Sequence, residues 1–318
     1  MNQLPQTSQV DERLKPPLVM QSPPTRTNTR VDIDLTKSDG GDSEHRLAPY
    51  LLGDPIPGLS AITSLQLKDR ADGSLLLADP EDLPLLGIGA IDRQRVLVVA
   101  PHPDDETLGC GGAIALLCSQ QYDVRVLIVS DGTMSHPNSR THPAPILQLV
   151  RERETLTALA VLGVKPEQIA FLRLKDGSVP TLTSFNFSKA KTLCQNYLAT
   201  ALPDTIFLPW RFDPHADHRA TWQLIQAAIL GLGITPQIIE YPIWDWDTAQ
   251  QQPRADLGQI SGWRLDVSTV LAQKCQAIAA YRSQLGQLID DDSDGFCLSA
   301  ELLANFQRPW EVYFEEIL

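Results

Sequence analysis

The sequence is poor in positive charge, and this shortage bears on its partners. It holds 26 Lys and Arg residues against 39 Asp and Glu, which gives a formal net charge of −13. Binding to nucleic acid depends on cations that neutralise phosphates, so we expect no nucleic-acid partner. Long apolar runs are missing too: no stretch reaches the length of a membrane span, and the first residues carry no apolar segment typical of a secretory signal. We therefore expect no transmembrane segment.

Paired cysteines and phosphate-binding glycines are missing as well. The five cysteines are an odd number, and none of them forms a C-x-x-C motif. This argues against a disulfide framework and against a thiolate zinc site, and it fits a reducing cytoplasm. The glycine-rich segment at residues 109–112 has no Lys-Ser/Thr, which a phosphate loop needs. Its glycines also do not complete G-x-G-x-x-G. A nucleotide-binding Rossmann enzyme is therefore disfavoured, and close packing of a helix is the predicted use of these glycines.

Three regions follow one another along the 318 residues. Residues 1–46 are rich in Pro, Thr, Ser and Gln without apolar periodicity, which predicts a disordered or loosely attached leader. Residues 47–92 are an N-terminal extension with a predicted hairpin around residues 71–73. From residue 93 to 318, apolar strand patterns alternate with amphipathic helices. This alternation predicts an α/β fold: a Rossmann-like, mostly parallel sheet with helices on both faces.

The most informative stretch joins an apolar strand to a helix. Residues 96–100 are an unbroken apolar run, and a helix pattern follows soon after, so the residues between them lie where open α/β sheets bind ligands. One imidazole and three carboxylates stand there: His102, Asp104, Asp105 and Glu106. Adjacent carboxylates repel one another unless a cation lies among them, and His with Asp suits zinc. The alternative is a helix N-terminus, which favours Asp and Glu but leaves His102 unexplained.

A second polar cluster follows a later strand. The predicted strand at residues 205–209 precedes Trp-Arg-Phe-Asp-Pro-His-Ala-Asp-His, in which His215 and His218 are three residues apart and share a helix face. Parallel strands end at the same edge of a sheet, so the two clusters can converge there. Together they predict a metal site, and the spacing leaves open which of the two histidines binds the metal.

The order of these motifs resembles the PIG-L/LmbE-like deacetylase family. Pro-His-Pro-Asp-Asp-Glu before a Gly-Gly helix, and the later His-x-Asp-His, are similar to its two metal motifs. Three more segments are similar to it: an R-x-x-E helix at residues 151–154, a strand and turn at residues 171–177, and a Lys…Ser-Gln helix at residues 274–284. The resemblance covers residues 96–318 and does not extend to residues 1–90.

The resemblance implies a zinc-dependent hydrolase that removes an N-acyl group, typically acetyl from an N-acetylglucosamine unit. It implies three zinc ligands: His102, Asp105 and His218. Three protein ligands leave Zn²⁺ an open position for water, and the pKa of a bound water falls to about 7. A zinc-bound water is therefore the expected nucleophile, and a small-molecule amino-sugar conjugate is the expected substrate.

The resemblance also implies roles for four other residues. Asp104 would be the general base beside the metal, and Arg151 would hold polar groups of the substrate. His215 would stabilise the oxyanion or donate a proton, and Asp217 would orient His215. The leaving amine needs a proton, which either His215 or protonated Asp104 can supply. For Arg151 the alternative is an exposed charge on a helix.

Two other functions could use the same motifs. One is an amidase that cleaves a different N-acyl or thiol-conjugate amide, and the other is a non-catalytic, metal-containing sugar-binding module. A binding module has no need of a second, non-ligating carboxylate beside Asp105, and Asp104 is such a carboxylate. We therefore predict zinc-dependent hydrolysis of an N-acetyl group on an N-acetylglucosamine-type conjugate, in the cytoplasm.

Further segments near the predicted strand ends have two interpretations each. Residues 290–301 fit the D-x-D-x-D-G-x5-E spacing of a calcium loop, but Leu298 offers no oxygen at the ninth position, so we expect a mobile acidic loop near the substrate. Residues 241–246 place Tyr and Trp where they can stack on a sugar or pack in the core. The Asp-Gly pairs at residues 131–132 and 176–177 are turns or ligand contacts.

Overall fold

The computed structural model describes residues 79–91, 93–247, 249 and 260–316. The predicted leader of residues 1–46 and the predicted hairpin around residues 71–73 lie outside these ranges. Residues 79–91 of the extension contribute a short strand, β1 (Leu85–Leu86), at one edge of the sheet. It pairs in parallel with a strand from the far end of the chain, so this part of the extension adds to the sheet.

The described residues form one sheet of eight strands. After β1 come β2 (Arg95–Ala100), β3 (Asp123–Ser130), β4 (Ile169–Leu174), β5 (Thr205–Pro209), β6 (Gln237–Tyr241), β7 (Ile260–Asp266) and β8 (Trp310–Glu316). Their order in the sheet is β1-β7-β8-β6-β5-β2-β3-β4. Every pair is parallel except those of β8, which runs antiparallel to β6 and β7. The predicted mostly parallel sheet is confirmed. The sequence pattern did not predict β8, because Glu311 and Glu315 interrupt its apolar run.

Six α-helices lie in the described residues. They are α1 (Asp105–Ser119), α2 (Ala144–Leu162), α3 (Phe187–Ala201), α4 (Ala216–Leu232), α5 (Leu271–Ile278) and α6 (Ala300–Phe306). The predicted helix at residues 274–284 is wrong in its second half, because α5 ends at Ile278 and the chain then turns so that Ser283 bonds to Glu154. None of the helices in the described ranges has both the length and the apolarity needed to cross a membrane.

Strand β2 shows why helices cover both faces of the sheet. Successive side chains of a strand point to opposite faces. Val96 and Val98 are buried in one apolar cluster with side chains of α1 and α2, whereas Leu97 and Val99 are buried in another with side chains of α3 and α4. Both faces of this central strand are apolar, so each needs a cover of helices. The predicted double cover is confirmed.

Glycines bring helix α1 close to its neighbours. A Cβ built on Gly109 would lie 2.3 Å from Tyr241 Cδ2, and one built on Gly112 would lie 2.4 Å from Val267 Cγ1. Both distances are far below van der Waals contact, so a larger side chain would force the neighbours to move. The glycines therefore serve close packing, as the sequence predicts.

A buried carboxylate also holds helix α1. Glu311 on β8 accepts the backbone N–H groups of Gly112 and Ala113, at 2.6 and 2.8 Å. The ammonium group of Lys274 donates to the same carboxylate at 2.7 Å, and both side chains are buried. A paired and fully hydrogen-bonded charge is tolerated in the interior, whereas breaking the pair is costly. Helix α1, which begins at Asp105, is thereby fixed on the sheet.

Replacing Gly112 with alanine tests this close packing. We expect Gly112→Ala to lower the free energy of unfolding by about 1–3 kcal/mol, because the overpacking at Val267 outweighs the better helix propensity of alanine. Gly89→Ala is the matched control, since a Cβ at Gly89 meets nothing within 4 Å. Denaturant unfolding of both variants decides the point. Equal stability of the two would contradict the packing described for α1.

Candidate active site

The two polar clusters meet because their strands are neighbours. β2 pairs in parallel with β5, so the loops that follow the two strands leave the sheet at the same edge. His102 lies in the loop after β2, and His218 lies in the first turn of α4, after β5. The Nδ1 atom of His102 is 3.3 Å from the Nε2 atom of His218.

Three potential ligand atoms form a nearly equilateral triangle. Asp105 Oδ2 lies 3.2 Å from His102 Nδ1 and 3.2 Å from His218 Nε2, and the two nitrogens are 3.3 Å apart. A tetrahedral zinc ion with bonds of about 2.0–2.1 Å separates its ligand atoms by about 3.3 Å. Two imidazole nitrogens and one carboxylate oxygen are also the donors that zinc prefers. His102, Asp105 and His218 therefore fit a zinc ion in both geometry and chemistry.

Asp213 supports His218 from the side opposite the triangle. Its Oδ2 atom lies 3.3 Å from His218 Nδ1 and accepts the backbone N–H of Trp244 at 3.1 Å, while its Oδ1 accepts the backbone N–H of His215 at 2.8 Å. Burial acts to lower the pKa of His218, but Asp213 and Asp105 outweigh it and raise that pKa to about 9. The sequence interpretation missed Asp213. The signal was its place two residues before His215, in the same motif.

His102 uses its second nitrogen as well. Nε2 lies 3.2 Å from Asp176 Oδ1 and 3.4 Å from Asp217 Oδ2. Burial acts to lower the pKa of His102, but its contacts with Asp105, Asp176 and Asp217 raise it well above the usual value. Asp176 is a further residue to which the sequence interpretation gave no role beyond a turn or a ligand contact.

Asp217 contacts His215 through its backbone and His102 through its carboxylate. Its carboxylate accepts the backbone N–H groups of Gly177 and Val179, at 2.7 and 3.1 Å, and approaches His102. His215 is held by the backbone of Asp217 instead: the N–H of Asp217 donates to His215 Nδ1 at 3.2 Å. The reason is the start of α4, where His215 is the N-cap residue and the Asp217 side chain turns toward the loop after β4.

His215 lies beside the triangle, and His102, His215 and His218 each offer a ligand atom within 4.8 Å of the others. Its ring centroid is 4.8 Å from that of His102, and its face stacks on Trp244 at 6.0 Å. Burial, together with the nearby His218 and His102, lowers the pKa of His215 to about 4. Because Nδ1 accepts a hydrogen bond, the neutral ring carries its proton on Nε2. His215 can therefore donate a hydrogen bond without being charged.

Asp104 is a buried carboxylate next to the triangle. Its backbone φ is +132°, which is rare for a residue with a side chain and costs about 1–3 kcal/mol. Its Oδ2 accepts from Arg151 Nη2 at 3.2 Å, and its backbone N–H donates to Glu106 Oε2 at 3.1 Å. Burial raises the pKa of Asp104 to about 8, Arg151 opposes this, and the neighbouring Asp105 and Glu106 add to it.

Arg151 is buried, and its guanidinium group donates to other groups of the protein. Only 2% of it is exposed, and Nη2 donates to the carbonyl of Pro103 and to Asp104. Arg151 therefore contacts the predicted general base, and the alternative of an exposed helix charge is wrong, while its contact with substrate stays a prediction. Sequence spacing placed Arg151 on α2, but it could not show which face of the helix meets the loop after β2.

Glu106, the third carboxylate of the first motif, is structural. It is fully buried, and it accepts the hydroxyl hydrogens of Thr107, at 2.6 Å, and of Tyr281. One level further out, Glu154 on α2 accepts the backbone N–H and the hydroxyl of Ser283, at 2.8 and 2.6 Å. The R-x-x-E helix and the Ser-Gln segment thus pack together behind the site.

Hydrogen bonds fasten the acidic loop to the loop at residues 138–141. Asp291 accepts the hydroxyl of Ser139 at 2.7 Å and the backbone N–H groups of Arg140 and Thr141 at 2.8 and 2.9 Å. The Ser139 hydroxyl and these N–H groups hold the pKa of Asp291 well below its usual range. Asp292 accepts the backbone N–H of Asn138 at 2.9 Å. These bonds tie two carboxylates of the acidic loop, which the sequence predicts to be mobile, to residues 138–141.

Of the aromatic residues at 241–246, one faces the site. Tyr241 is fully buried, and its hydroxyl donates to the carbonyl of Val99 at 2.7 Å, so it belongs to the core. Trp244 is half-buried between His215 and Phe296, whose ring lies 5.6 Å from it. Trp244 and Phe296 therefore form an apolar wall beside His215.

The chain is similar to proteins of one family. Residues 97–229 match the model of the PIG-L family, described as GlcNAc-PI de-N-acetylase, and this span contains both motifs. Diacetylchitobiose deacetylase from Thermococcus kodakarensis is 30% identical over 128 residues, which are 40% of this chain and 46% of that protein. A probable N-acetyl-alpha-D-glucosaminyl L-malate deacetylase 2 from Bacillus cereus is 26% identical over 203 residues, which are 63% of this chain and 87% of that protein. The resemblance predicted from the motifs is confirmed.

Solved structures share the fold. Teicoplanin deacetylase in a zinc-inhibited form superposes with a TM-score of 0.53 at 19% identity, over 69% of this chain and 97% of that one. An antimicrobial pseudoaglycone deacetylase superposes with a TM-score of 0.52 at 23% identity, over 70% of this chain and 97% of that one. At these identities the likeness concerns the α/β fold alone.

Proposed function

We propose that the chain is a zinc-dependent N-deacetylase of N-acetylglucosamine-type conjugates. The premise is that it belongs to the PIG-L family over residues 97–229. The observation that carries the proposal is the triangle of His102, Asp105 and His218, with edges of 3.2–3.3 Å. Asp104 lies next to it in the chain and pairs with Arg151 instead of joining it. A ligand set with a separate carboxylate beside it is the minimum that amide hydrolysis by a metal enzyme needs.

Zinc held by His102, Asp105 and His218 would polarise the amide carbonyl and lower the pKa of a water molecule. Asp104 takes the proton from the attacking water. Burial raises the pKa of Asp104, which makes its carboxylate a stronger base for the proton of the water. The protonated Asp104 gives the proton to the leaving nitrogen as the C–N bond breaks, and the products are an acid and an amine.

His215 is proposed to stabilise the oxygen that becomes negative during the attack. Its Nδ1 is occupied by the backbone N–H of Asp217, so Nε2–H is the free end of the ring. Burial lowers the pKa of His215, which favours the neutral ring. A neutral donor still stabilises a developing oxyanion. With His215 as the hydrogen-bond donor to the oxyanion, Asp104 is favoured over His215 as the source of the proton for the amine.

The substrate class rests on the relatives. The printed names of the relatives from Thermococcus kodakarensis and Bacillus cereus both specify an N-acetylated sugar as substrate. The chain spans about half the length of the first of these, so the transfer of that substrate class is our proposal. The half-buried face of Trp244 beside His215 offers a surface on which a sugar ring could stack. Free cysteines, among them the buried Cys110 and Cys194, fit the proposed cytoplasmic location.

A second candidate is an amidase that applies the same proton transfer to another N-acyl compound. The observation that favours it is Arg151: the cation expected to hold sugar polar groups is buried against Pro103 and Asp104. A non-catalytic binding module fits less well, because such a module gains nothing from an Asp104 backbone at φ +132°.

The function is tested with the full chain, stripped of metal and reloaded with Zn²⁺. It is incubated with free N-acetylglucosamine, with glycosides and disaccharides of it, and with N-acetyl amino acids, and both primary amine and acetate are measured. We expect equal amounts of the two products from at least one sugar conjugate. Release from the amino acids alone would replace the proposal with the second candidate, and release from neither would reject both.

Arg151 should set the pH dependence of the reaction. Its positive charge lowers the pKa of Asp104, so Arg151→Met raises that pKa and keeps the base protonated to higher pH. We expect the acidic limb of the kcat/KM profile to move upward by about 1 pH unit. Arg153→Met, an exposed arginine on the same helix, is the control and should leave the profile unchanged. A downward shift, or the same profile in both variants, would contradict the assigned role of Arg151.

A further inference from the structure

His102 is contacted on both ring nitrogens, and the two sets of contacts differ in kind. Nδ1 faces Asp105 and His218, the atoms of the proposed metal triangle. Nε2 faces two carboxylates, with Asp176 Oδ1 at 3.2 Å and Asp217 Oδ2 at 3.4 Å. A neutral imidazole has one N–H and one lone pair, so the contacts at one nitrogen decide what the other can do.

The two carboxylates that face Nε2 are held in place by backbone N–H groups. Asp176 Oδ2 accepts the N–H of Met134 at 2.7 Å, so its Oδ1 is left for His102. The Asp217 carboxylate accepts the N–H groups of Gly177 and Val179. Asp176 and Asp217 are 7% and 3% exposed, so bulk water has little access to either carboxylate. They are therefore fixed acceptors that need a proton donor between them.

The geometry points to Asp176 and Asp217 as a paired acceptor that positions His102. We propose that the two carboxylates together accept the Nε2–H of His102, which leaves the lone pair on Nδ1 for the metal. This inference rests on the proposed metal site and adds its supporting residues. Carboxylates that accept the free N–H of a ligating histidine fix the ring and strengthen it as a ligand. Both are proposed as positioning residues; the alternative is that they bind a metal themselves, since His102, Asp176 and Asp217 offer ligand atoms within 4.8 Å of one another.

The pair also joins four parts of the proposed catalytic edge. Met134 lies in the loop after β3, Gly177 and Val179 lie in the loop after β4, and Asp217 lies in α4, while His102 follows β2. The backbone of two loops is thus tied to the orientation of one imidazole. A metal bound at Nδ1 therefore stabilises the loops that border the site, and disturbance of either carboxylate weakens the metal.

Zinc affinity tests the proposal. We would measure the Kd for Zn²⁺ by competition with a chromophoric chelator for the wild type, Asp176→Asn, Asp217→Asn and the double variant. We expect the double variant to bind zinc about 10–100-fold more weakly, the usual effect of removing such support. Asp266→Asn is the control: its carboxylate accepts the backbone N–H of Ser268 at 2.9 Å and has no contact with His102, Asp176 or Asp217 among the described residues, so its Kd should stay within about threefold of wild type. Equal Kd values for the double variant and the control would overturn the proposal.

A second measurement needs no substitution. In zinc-loaded wild type labelled with ¹⁵N-histidine, the ring of His102, identified by its loss in His102→Gln, should carry its proton on Nε2. A proton on Nδ1 would overturn the proposal even if the variants fail to fold. Neither experiment involves amide hydrolysis. A protein that binds zinc in this way but cleaves no amide would reject the proposed function and leave the pairing intact.

Discussion

Asp104→Asn is expected to reduce amide hydrolysis by about 10²–10⁴-fold while zinc stays bound. Asparagine has nearly the same shape as aspartate, but it cannot take a proton from water or return one to the leaving nitrogen. The three ligand atoms belong to His102, Asp105 and His218, so the metal keeps its full set. The loss should therefore appear in kcat, with the Kd for zinc little changed.

The measurement is the rate of amine release at saturating substrate, with bound zinc determined on the same sample. Asp266→Asn is the control, because Asp266 is an exposed residue at the end of β7 whose carboxylate accepts a hydrogen bond from Ser268. Wild-type rates in the Asp104 variant would show that another group accepts the proton. Loss of zinc from that variant would show instead that Asp104 is a ligand.

His218→Ala is expected to abolish zinc binding at micromolar metal, whereas His215→Ala keeps it. His218 Nε2 is one corner of the triangle, and His215 lies beside the triangle with its Nδ1 bonded to the backbone of Asp217. Removal of His218 also leaves Asp105 and Asp213 buried without their shared partner, which adds to the cost. The expected loss of affinity exceeds the 10–100-fold typical of a supporting residue.

The two variants are matched, since they remove the same side chain from the same motif three residues apart. Zinc content after gel filtration separates them, and thermal unfolding of the metal-free proteins checks that both are folded. His215→Ala should lose kcat because it removes the proposed oxyanion donor. Zinc retained by His218→Ala and lost from His215→Ala would reverse the assignment of the ligand.

The sequence was sufficient for the general architecture. Alternating apolar strands and amphipathic helices predicted the parallel sheet, and the place of both motifs after strands predicted that they would meet. The choice between His215 and His218 as ligand came from the resemblance, and the distances from His218 to His102 and Asp105 support it.

The supporting residues could not be predicted in the same way. Asp213 and Asp217 lie in the second motif, but only the direction in which each side chain leaves the start of α4 shows that one supports His218 and the other His102. Arg151 sits on a helix whose spacing allows either an exposed or a buried side chain. Asp176 meets His102 from the loop after β4, across a sheet in which β3 lies between β2 and β4. Such contacts depend on three-dimensional packing, which periodicity does not contain.

The most direct test of the central claim is a zinc titration of the metal-stripped chain in the presence of an N-acetylglucosamine conjugate that it cleaves. We predict no amine release without metal, release that rises in proportion to the zinc added, and a plateau at one zinc per chain. Release that continues undiminished in the stripped protein, or that stays absent at full zinc occupancy, would contradict it.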